Sequence, residues 1–304
     1  MKPNKQIRIT STSLVIASAF FGGCVADDEG LEAETSETEQ QIGGWAAAGW
    51  GTTTDLYGMD TGWSSTNSAC VLTAVKGDLN EGGYWQVADE TSTVSIEVDQ
   101  WNDNWRLIAH GGAHTSQSNS KVWANNPVAG GAVCFPGDVT HYGSWRSVQP
   151  HMGQAGPKKI TGLSANRRCF LNSVHTGDGM WSSISKYARV RKYTSTDASH
   201  PTTGWYIESN LQSSVDTGAH ALVGAVCVEF PAIEGEWGHG IGGAGTWPMT
   251  DGNGRKMCGL TGISGAFTTE SYSSGVNLTP PSSQTGNWSL TLTANKGAEV
   301  LCIQ

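Results

Sequence analysis

The chain has 304 residues, with 27 acidic and 18 basic side chains and a net charge of −9 at pH 7. This acidic balance disfavours polyanion binding and removes nucleic acid from the expected partners. Gly (40 residues) and Trp (13 residues) are frequent, and beyond residue 25 no stretch has the apolar spacing of an amphipathic helix or the length of a membrane span. Short alternating runs bounded by Gly, Pro, Asn and Asp predict an all-β fold.

Residues 1–23 are predicted to form a secretory signal peptide. Three basic residues precede a short apolar stretch, 9–21, which is followed by two glycines. This order of charged region, short apolar region and small residues is typical of exported proteins, and the apolar region is too short to span a bilayer. The basic residues are Lys2, Lys5 and Arg8.

The tetrapeptide Phe21-Gly22-Gly23-Cys24 resembles the bacterial lipobox, in which the Cys is lipidated and becomes the mature N-terminus. The resemblance implies a lipid anchor on Cys24 and a location at the outer membrane or cell surface. Cleavage after Ala26 is the alternative, and it would give a secreted or periplasmic protein.

Residues 25–44 carry seven acidic side chains and no basic ones. Such a segment cannot bury enough apolar surface to offset the entropy of ordering it, so 24–44 is predicted to be a lipidated Cys followed by a disordered acidic tether. An acidic tether directly after a lipidated Cys resembles the exported lipoproteins of myxobacteria.

Residues 45–304 are predicted to contain three divergent copies of one β unit, in repeats 45–136, 137–231 and 232–304. Each copy opens with a Cys and an apolar run, continues with a β-branched strand and a strand that contains Trp, and closes with a small-residue strand that contains Cys. In the opening run, Leu and Val or Ile lie three residues apart, which predicts a strand with a small bulge or one buried on both faces. The opening Cys residues are Cys70, Cys169 and Cys258, the strand tryptophans are Trp105, Trp205 and Trp288, and the closing Cys residues are Cys134, Cys227 and Cys302.

The cysteine count agrees with this interpretation. Seven Cys without the lipidated one leave six, two in each copy, in a protein routed to an oxidising compartment. If every copy uses the same pairing, the Cys of its opening strand bonds the Cys of its closing strand. No Cys-x-x-Cys spacing favours a zinc site. The predicted disulfides are Cys70–Cys134, Cys169–Cys227 and Cys258–Cys302.

The third copy is too short for a comfortable independent sandwich, and no flexible linker separates the copies. Repeat units that cannot bury a core alone share one. We therefore predict a single pseudo-threefold body of three disulfide-stapled repeats, comparable to a β-trefoil or β-prism in strand count. Three tandem small β-sandwiches are the alternative.

Motifs for hydrolases, nucleotides and dinucleotides are absent. Neither the two histidines of the loop 110–114 nor Asp78, Asp99 and Asp103 of the first copy have a typical metal-ligand spacing, so no metal, cofactor or catalytic residue is predicted. Two glutamates that lie two residues apart are interpreted as part of a surface loop. A cluster of basic residues is interpreted as the solvated face of one strand. These groups are His110 and His114; Asp78, Asp99 and Asp103; Glu234 and Glu236; and Lys186, Arg189, Arg191 and Lys192.

Tryptophans in the Gly-rich stretches are the candidate ligand-binding residues: Trp63, Trp145, Trp237 and Trp247. A flat indole can stack on a sugar ring, and packing over the ends of the body is the alternative role for each. We predict an exported, surface-anchored, non-catalytic recognition protein with lectin-like glycan binding through Trp-rich loops. The alternatives are a secreted hydrolase with an unrecognised site and a structural envelope or adhesin component. The expected partners are a carbohydrate or an envelope protein, with membrane contact through the lipid anchor only.

Overall fold

The structure is a computed structural model. The chain divides into two compact units, Met1–Glu32 and Ala33–Gln304. The structure describes residues of the second unit only, as follows. The backbone strands 38–42, 45–49, 113–115, 121–123 and 138–147 are described without their side chains. Backbone and side chains are described for 58–80, 92–99, 101–111, 128–136, 157–176, 181–211, 221–230, 233, 235–249, 257–269, 271, 273–281 and 286–304.

The described residues contain strands, turns and bends but no helix, so this part of the chain is all-β. None of it forms a helix long and apolar enough to cross a membrane. In chain order the strands are β1 (Thr38–Ile42), β2 (Trp45–Gly49), β3 (Met59–Ser64), β4 (Ser68–Gly77), β5 (Ser92–Val98), β6 (Asn104–His110), β7 (Ala113–Thr115), β8 (Lys121–Trp123), β9 (Val128–Pro136), β10 (Asp138–Ser147), β11 (Lys158–Thr161), β12 (Arg167–Thr176), β13 (Tyr187–Tyr193), β14 (Gly204–Ser209), β15 (Ala221–Glu229), β16 (Glu236–Gly242), β17 (Gly245–Met249), β18 (Met257–Gly265), β19 (Gly275–Thr279), β20 (Trp288–Leu292) and β21 (Lys296–Ile303).

Three large sheets and one small hairpin sheet, β7-β8, organise these strands. Sheet 1 has the order β1-β2-β9-β4-β19-β20-β17, sheet 2 the order β10-β15-β12-β5-β6-β3, and sheet 3 the order β11-β14-β13-β18-β21-β16. All the pairings are antiparallel. The strands predicted to open, continue and close each copy are all present as strands.

Each large sheet combines strands from two distant parts of the chain. Sheet 1 joins β2, β9 and β4 from 45–136 to β19, β20 and β17 from 232–304. Sheet 2 joins β10, β15 and β12 from 137–231 to β5, β6 and β3 from 45–136, and sheet 3 joins β16, β21 and β18 to β13, β14 and β11. The junctions are the pairings β4–β19, β12–β5 and β18–β13.

Three disulfides cross neighbouring strands, and they are the pairs predicted from the sequence. Cys70 is bonded to Cys134, Cys169 to Cys227 and Cys258 to Cys302. The two Cys residues of each disulfide are direct register partners, on β4–β9, β12–β15 and β18–β21. Each disulfide therefore staples the opening strand to the closing strand of its own part of the chain.

The opening strands carry the predicted bulge and are also buried on both faces. The register shifts between Leu72 and Ala74 on β4, between Leu171 and Ser173 on β12, and between Leu260 and Gly262 on β18. In each strand the residues from the Cys through the bulge are buried. The extra residue of a bulge changes which side chains share a face, and this accounts for the three-residue spacing of Leu and Val or Ile.

One hydrophobic cluster joins the side chains of the three large sheets. Trp105, Trp205 and Trp288 are all buried in it, as predicted for strand anchors. The opening strands meet closely inside this cluster. A Cβ atom built on Gly259 would lie 2.7 Å from Phe170 Cδ1 and 2.8 Å from Val71 Cγ2, so the residues that follow the three opening Cys pack against one another.

Strand β1 occupies part of the segment for which a disordered tether was predicted. Thr38–Ile42 pairs antiparallel with Trp45–Gly49, and the two strands are separated in the sequence by Gly43 and Gly44. A Gly-Gly pair between two extended runs is typical of a tight hairpin. The remaining residues of 24–44, Cys24 and the predicted signal peptide lie outside the described residues.

The contact at Gly259 makes a prediction about stability. Gly259→Ala should lower the free energy of unfolding by roughly 1–3 kcal/mol, because the added methyl group overpacks the contact with Val71 and Phe170. Gly240→Ala is the matched control, since nothing lies within 4 Å of a Cβ at that strand position. Urea denaturation of the two variants measures the difference, and equal stability would contradict this packing.

Candidate functional site

The largest apolar side chain that the described residues expose is Trp101, at the tip of the β5–β6 hairpin. Its relative solvent exposure is 95 %, whereas the other described exposed hydrophobic residues are the smaller Leu163 and Ile184. Burying a large apolar side chain stabilises a fold by roughly 1.5–3 kcal/mol. The folded protein therefore lacks this stabilisation at Trp101, which makes the surroundings of Trp101 a candidate binding surface.

The hairpin tip is closed by hydrogen bonds within the turn. Asp99 N donates to Asn104 O at 2.8 Å, and Asp103 N donates to Asp99 O at 3.0 Å. Asp103 adopts a left-handed conformation with φ of 58°, which Asp tolerates better than most residues. The side chain of Asp99 also accepts from Trp101 N at 2.9 Å, so the backbone that carries the indole is fixed on both sides.

Strand β3 holds the same tip from the side through the carboxylate of Asp60. This carboxylate accepts from Asn102 Nδ2 at 2.8 Å, from Asn104 Nδ2 at 3.1 and 3.2 Å, and from Gly62 N at 2.8 Å. A second link joins Ser65 N to Asp103 O at 2.8 Å. These contacts hold the two amide side chains at the Asp60 carboxylate and restrict their movement.

The charge of the tip is negative. Burial alone would raise the pKa of Asp60, but the N–H donors of Gly62, Asn104 and Asn102 and the charge of Arg106 outweigh it and lower that pKa. Arg106 Nη2 lies 2.8 Å from Asp99 Oδ2, so these two charges neutralise each other. The carboxylates of Asp60 and Asp103 are left as the net charge.

This arrangement has the parts of a binding surface for a small polar ring. An exposed indole face offers a flat apolar platform. Asn102 Oδ1 accepts from Asn104 N at 3.0 Å, and each amide nitrogen carries two N–H donors, so the amides keep some donor and acceptor capacity beyond the contacts with Asp60. Fixing the amides before a ligand arrives lowers the entropic cost of binding. Among the described residues of the tip, no nucleophile is paired with a general base.

The tryptophans predicted to lie in ligand-binding loops are all on strands, and none is on the β5–β6 turn. Trp63 on β3 and Trp247 on β17 are partly buried and pack against the core, which is the packing role given above as the alternative. Trp237 on β16 is half-buried, lies opposite Cys302, and its indole lies over Gly235. Trp145 on β10 is opposite Val223, and its side chain lies outside the described residues. Among the described contacts, none brings these four together.

A second cluster of titratable side chains covers the outer face of the β13–β14 hairpin. His200 is 6 % exposed; its Nδ1 lies 3.0 Å from an Asp197 carboxylate oxygen and its Nε2 lies 3.0 Å from Glu208 Oε1. Arg189 Nε donates to Glu208 Oε2 at 2.8 Å, and the ring of Tyr193 stacks on that of His200 with a centroid distance of 3.5 Å. The cluster ties the loop between β13 and β14 to the sheet.

The pKa values in this cluster reflect burial and close contact. Burial opposes ionisation of Glu208, yet the hydrogen bonds from Tyr193 and Arg189 and the charge of Arg189 lower its pKa. Burial, the hydrogen bond to Glu208 and the negative charge of Glu208 raise the pKa of Tyr193 to about 12. Because Glu208 and His200 are buried and partnered with each other, we assign the cluster a structural role rather than a catalytic one.

The basic strand is neutralised by glutamates. Arg189 pairs with Glu208, and Arg191 Nε donates to Glu299 Oε2 at 2.8 Å. Glu236, one of the two glutamates considered for glycoside chemistry, lies 2.6 Å from Arg168 and 3.4 Å from Lys192. Glu234 lies outside the described residues.

The metal-ligand candidates do not converge in the described part of the chain. His110 is buried with its Nδ1 3.2 Å from Gly111 O, while the side chain of His114 lies outside the description. Asp78 is buried and accepts from Asn80 N at 2.8 Å. No group of three or more His, Cys, Asp or Glu side chains that could hold a metal ion occurs among the described residues.

The fold and this geometry define an all-β, disulfide-bonded protein with an exposed aromatic hairpin tip. No protein-family model matches the chain, and no curated protein matches it significantly in sequence.

The tip of the β5–β6 hairpin was missed by the sequence analysis. Trp101 lies outside the Gly-rich stretches that contain the predicted ligand-binding tryptophans. A signal was present, since Trp101 lies among Asp99, Asn102, Asp103 and Asn104, and Asp and Asn are enriched in turns. A large aromatic residue inside a short polar turn has little to pack against, and this predicts its exposure.

The raised pKa of Tyr193 predicts its titration behaviour. In the folded protein its phenol should ionise near pH 12, against about 10 in an unfolded chain. Since the folded pKa is the higher one, the stabilising contribution of Tyr193 is complete below about pH 10 and is lost as the pH rises through 12. Ultraviolet difference titration of the wild type against Tyr193→Phe measures it, and a phenolate that forms near pH 10 would contradict the contact with Glu208.

Proposed function

We propose that this protein is an exported, non-catalytic recognition protein that binds glycans through the tip of the β5–β6 hairpin. The single observation that carries the proposal is the 95 % exposed indole of Trp101 on a hairpin tip that is held by hydrogen bonds and also carries the amides of Asn102 and Asn104. A sugar ring presents a C–H face that matches an indole and hydroxyl groups that match amides. Function is usually found on such loops of a rigid scaffold.

We propose also that 45–136, 137–231 and 232–304 are three copies of one unit that share a single core. The same succession of strands in all three large sheets, the three bulges and the three equivalent disulfides support this proposal. The mixing of strands from two copies in every sheet favours one pseudo-threefold body over three tandem sandwiches. Such a body would present the hairpin tip on a rigid support.

Export and anchoring complete the proposal. Three disulfides suit an oxidising compartment outside the cytoplasm. The signal-like N-terminus and the lipobox-like residues before Cys24 support transfer to the envelope, with the lipid on Cys24 holding the recognition body near the outer membrane or cell surface.

The anchor is tested in the native host. Cys24→Ser should abolish incorporation of labelled palmitate and move the protein from the membrane fraction to a soluble fraction, because the thiol is the lipid attachment point. The matched control is Ser18→Ala, within the apolar stretch of the signal. Unchanged labelling of the Cys24→Ser protein would contradict lipidation, and a soluble wild-type protein would favour cleavage after Ala26.

The binding role is tested by a glycan array probed with the mature protein. We expect retention of a set of glycans and a loss of roughly tenfold or more in affinity in Trp101→Ala, as for an aromatic residue at the centre of a binding surface. Ile184→Ala is the matched control, because Ile184 is another exposed apolar residue, at 69 % exposure.

Both variants should keep the thermal stability of the wild type, since neither side chain is buried. Binding that survives in Trp101→Ala would exclude this hairpin as the site. Absence of binding to every glycan on the array would argue against glycan recognition as a whole.

A further inference from the structure

The charge around Trp101 restricts the ligands that the proposed glycan site can accept. Asp60 is held ionised by N–H donors, and Asp103 is exposed. Among the described residues, the cation in contact with this tip is Arg106. Its Nη2 lies 2.8 Å from Asp99 Oδ2, and this ion pair neutralises its charge. A carboxylate or sulfate group on a ligand would therefore meet repulsion that no nearby described cation offsets.

The two remaining carboxylates differ in their freedom to contact a ligand. Asp60 already accepts from the N–H groups of Gly62, Asn102 and Asn104, which together use the acceptor positions of a carboxylate. It is a positioning residue that also contributes negative potential. The carboxylate of Asp103, in contrast, accepts no hydrogen bond from the described residues and faces solvent.

Asp103 is also close to Trp101 along the chain. It follows Trp101 by two residues, so their Cα atoms are separated by at most about 7.6 Å. Its backbone is anchored in the left-handed conformation by hydrogen bonds at both ends, Asp103 N to Asp99 O and Ser65 N to Asp103 O. An exposed anion and an exposed indole face are thus presented together on one fixed turn.

We infer that the hairpin tip selects amino sugars with a free ammonium group over neutral sugars, and neutral sugars over uronates. The inference rests on the proposed glycan-binding function. The ammonium group pairs with the Asp103 carboxylate and with the negative potential of Asp60, and the indole of Trp101 stabilises a cation near its face. The amides of Asn102 and Asn104 bind hydroxyl groups, which all three sugar classes possess.

The test compares three oligosaccharides of equal length by isothermal titration calorimetry with the mature protein. They are β-1,4-linked glucosamine, its N-acetylated counterpart and a galacturonate oligomer, at a pH of about 5.5, where the amines are protonated and the carboxylates ionised. We expect glucosamine to bind roughly tenfold more tightly than the N-acetylated oligomer, from one exposed ion pair and one exposed cation–π contact. The galacturonate oligomer should bind the least.

Asp103→Asn isolates the charge. Asn keeps the shape and the tolerance of a left-handed backbone, so the variant should fold as the wild type does. Its preference for glucosamine should fall to about threefold or less, the part that a cation–π contact alone supports. High salt should reduce the wild-type preference in the same direction, because it screens exposed charges.

The outcomes separate this inference from the proposed function. Equal or tighter binding of the N-acetylated or galacturonate oligomer, with affinity lost in Trp101→Ala, overturns the charge selectivity and leaves glycan binding at the tip. A glucosamine preference that is unchanged in Asp103→Asn also overturns the selectivity at this residue. If none of the oligomers binds and no array glycan is retained, both proposals fail.

Discussion

The pairing of opening strands with strands from a distant part of the chain is the constraint on which the structure depends. β4 pairs with β19, β12 with β5 and β18 with β13, so none of the three large sheets can form from one part of the chain alone. The disulfides staple each opening strand to its closing strand and limit the entropy of the unfolded chain. The remaining cost of bringing distant strands together is met by the shared core, where the residues after the three opening Cys are in contact.

This constraint also determines how the hairpin tip is held. Strand β5 is fixed on one side by β12 and on the other by β6, and β6 is in turn covered by β3. Because β3 supplies Asp60 and is followed directly by Ser65, the turn that carries Trp101 is bonded to a strand that the sheet already orders and to the residue after it. The backbone at an exposed aromatic residue on a turn bound in this way keeps its position without packing against the core. Preorganisation of this kind is what a recognition site requires.

The polar groups on the outer face of sheet 3 have a different role. Arg189, Glu208, Arg191 and Glu299 form pairs across neighbouring strands, and His200 ties a loop to them. Charges that are paired in this way hold strands and loops in register and leave little free capacity for a ligand. At the β5–β6 tip, by contrast, a carboxylate and an indole face solvent. The two clusters therefore differ in whether their charged side chains are already paired with other residues of the chain.

The strand class, the positions of the strands that open, continue and close each copy, and the partners of the six Cys followed from the sequence alone. Alternation, turn residues and a repeated order of Cys and Trp are local patterns that can be read directly along the chain. The bulge was readable for the same reason, from the spacing of Leu and Val in the opening runs. Which sheet each strand joins was decided only by the tertiary structure, since edge pairing between distant strands depends on the shape of the common core. The partial burial of Trp63 and Trp247 was decided there too, because an indole packs against the core or faces solvent according to whether another part of the chain covers it.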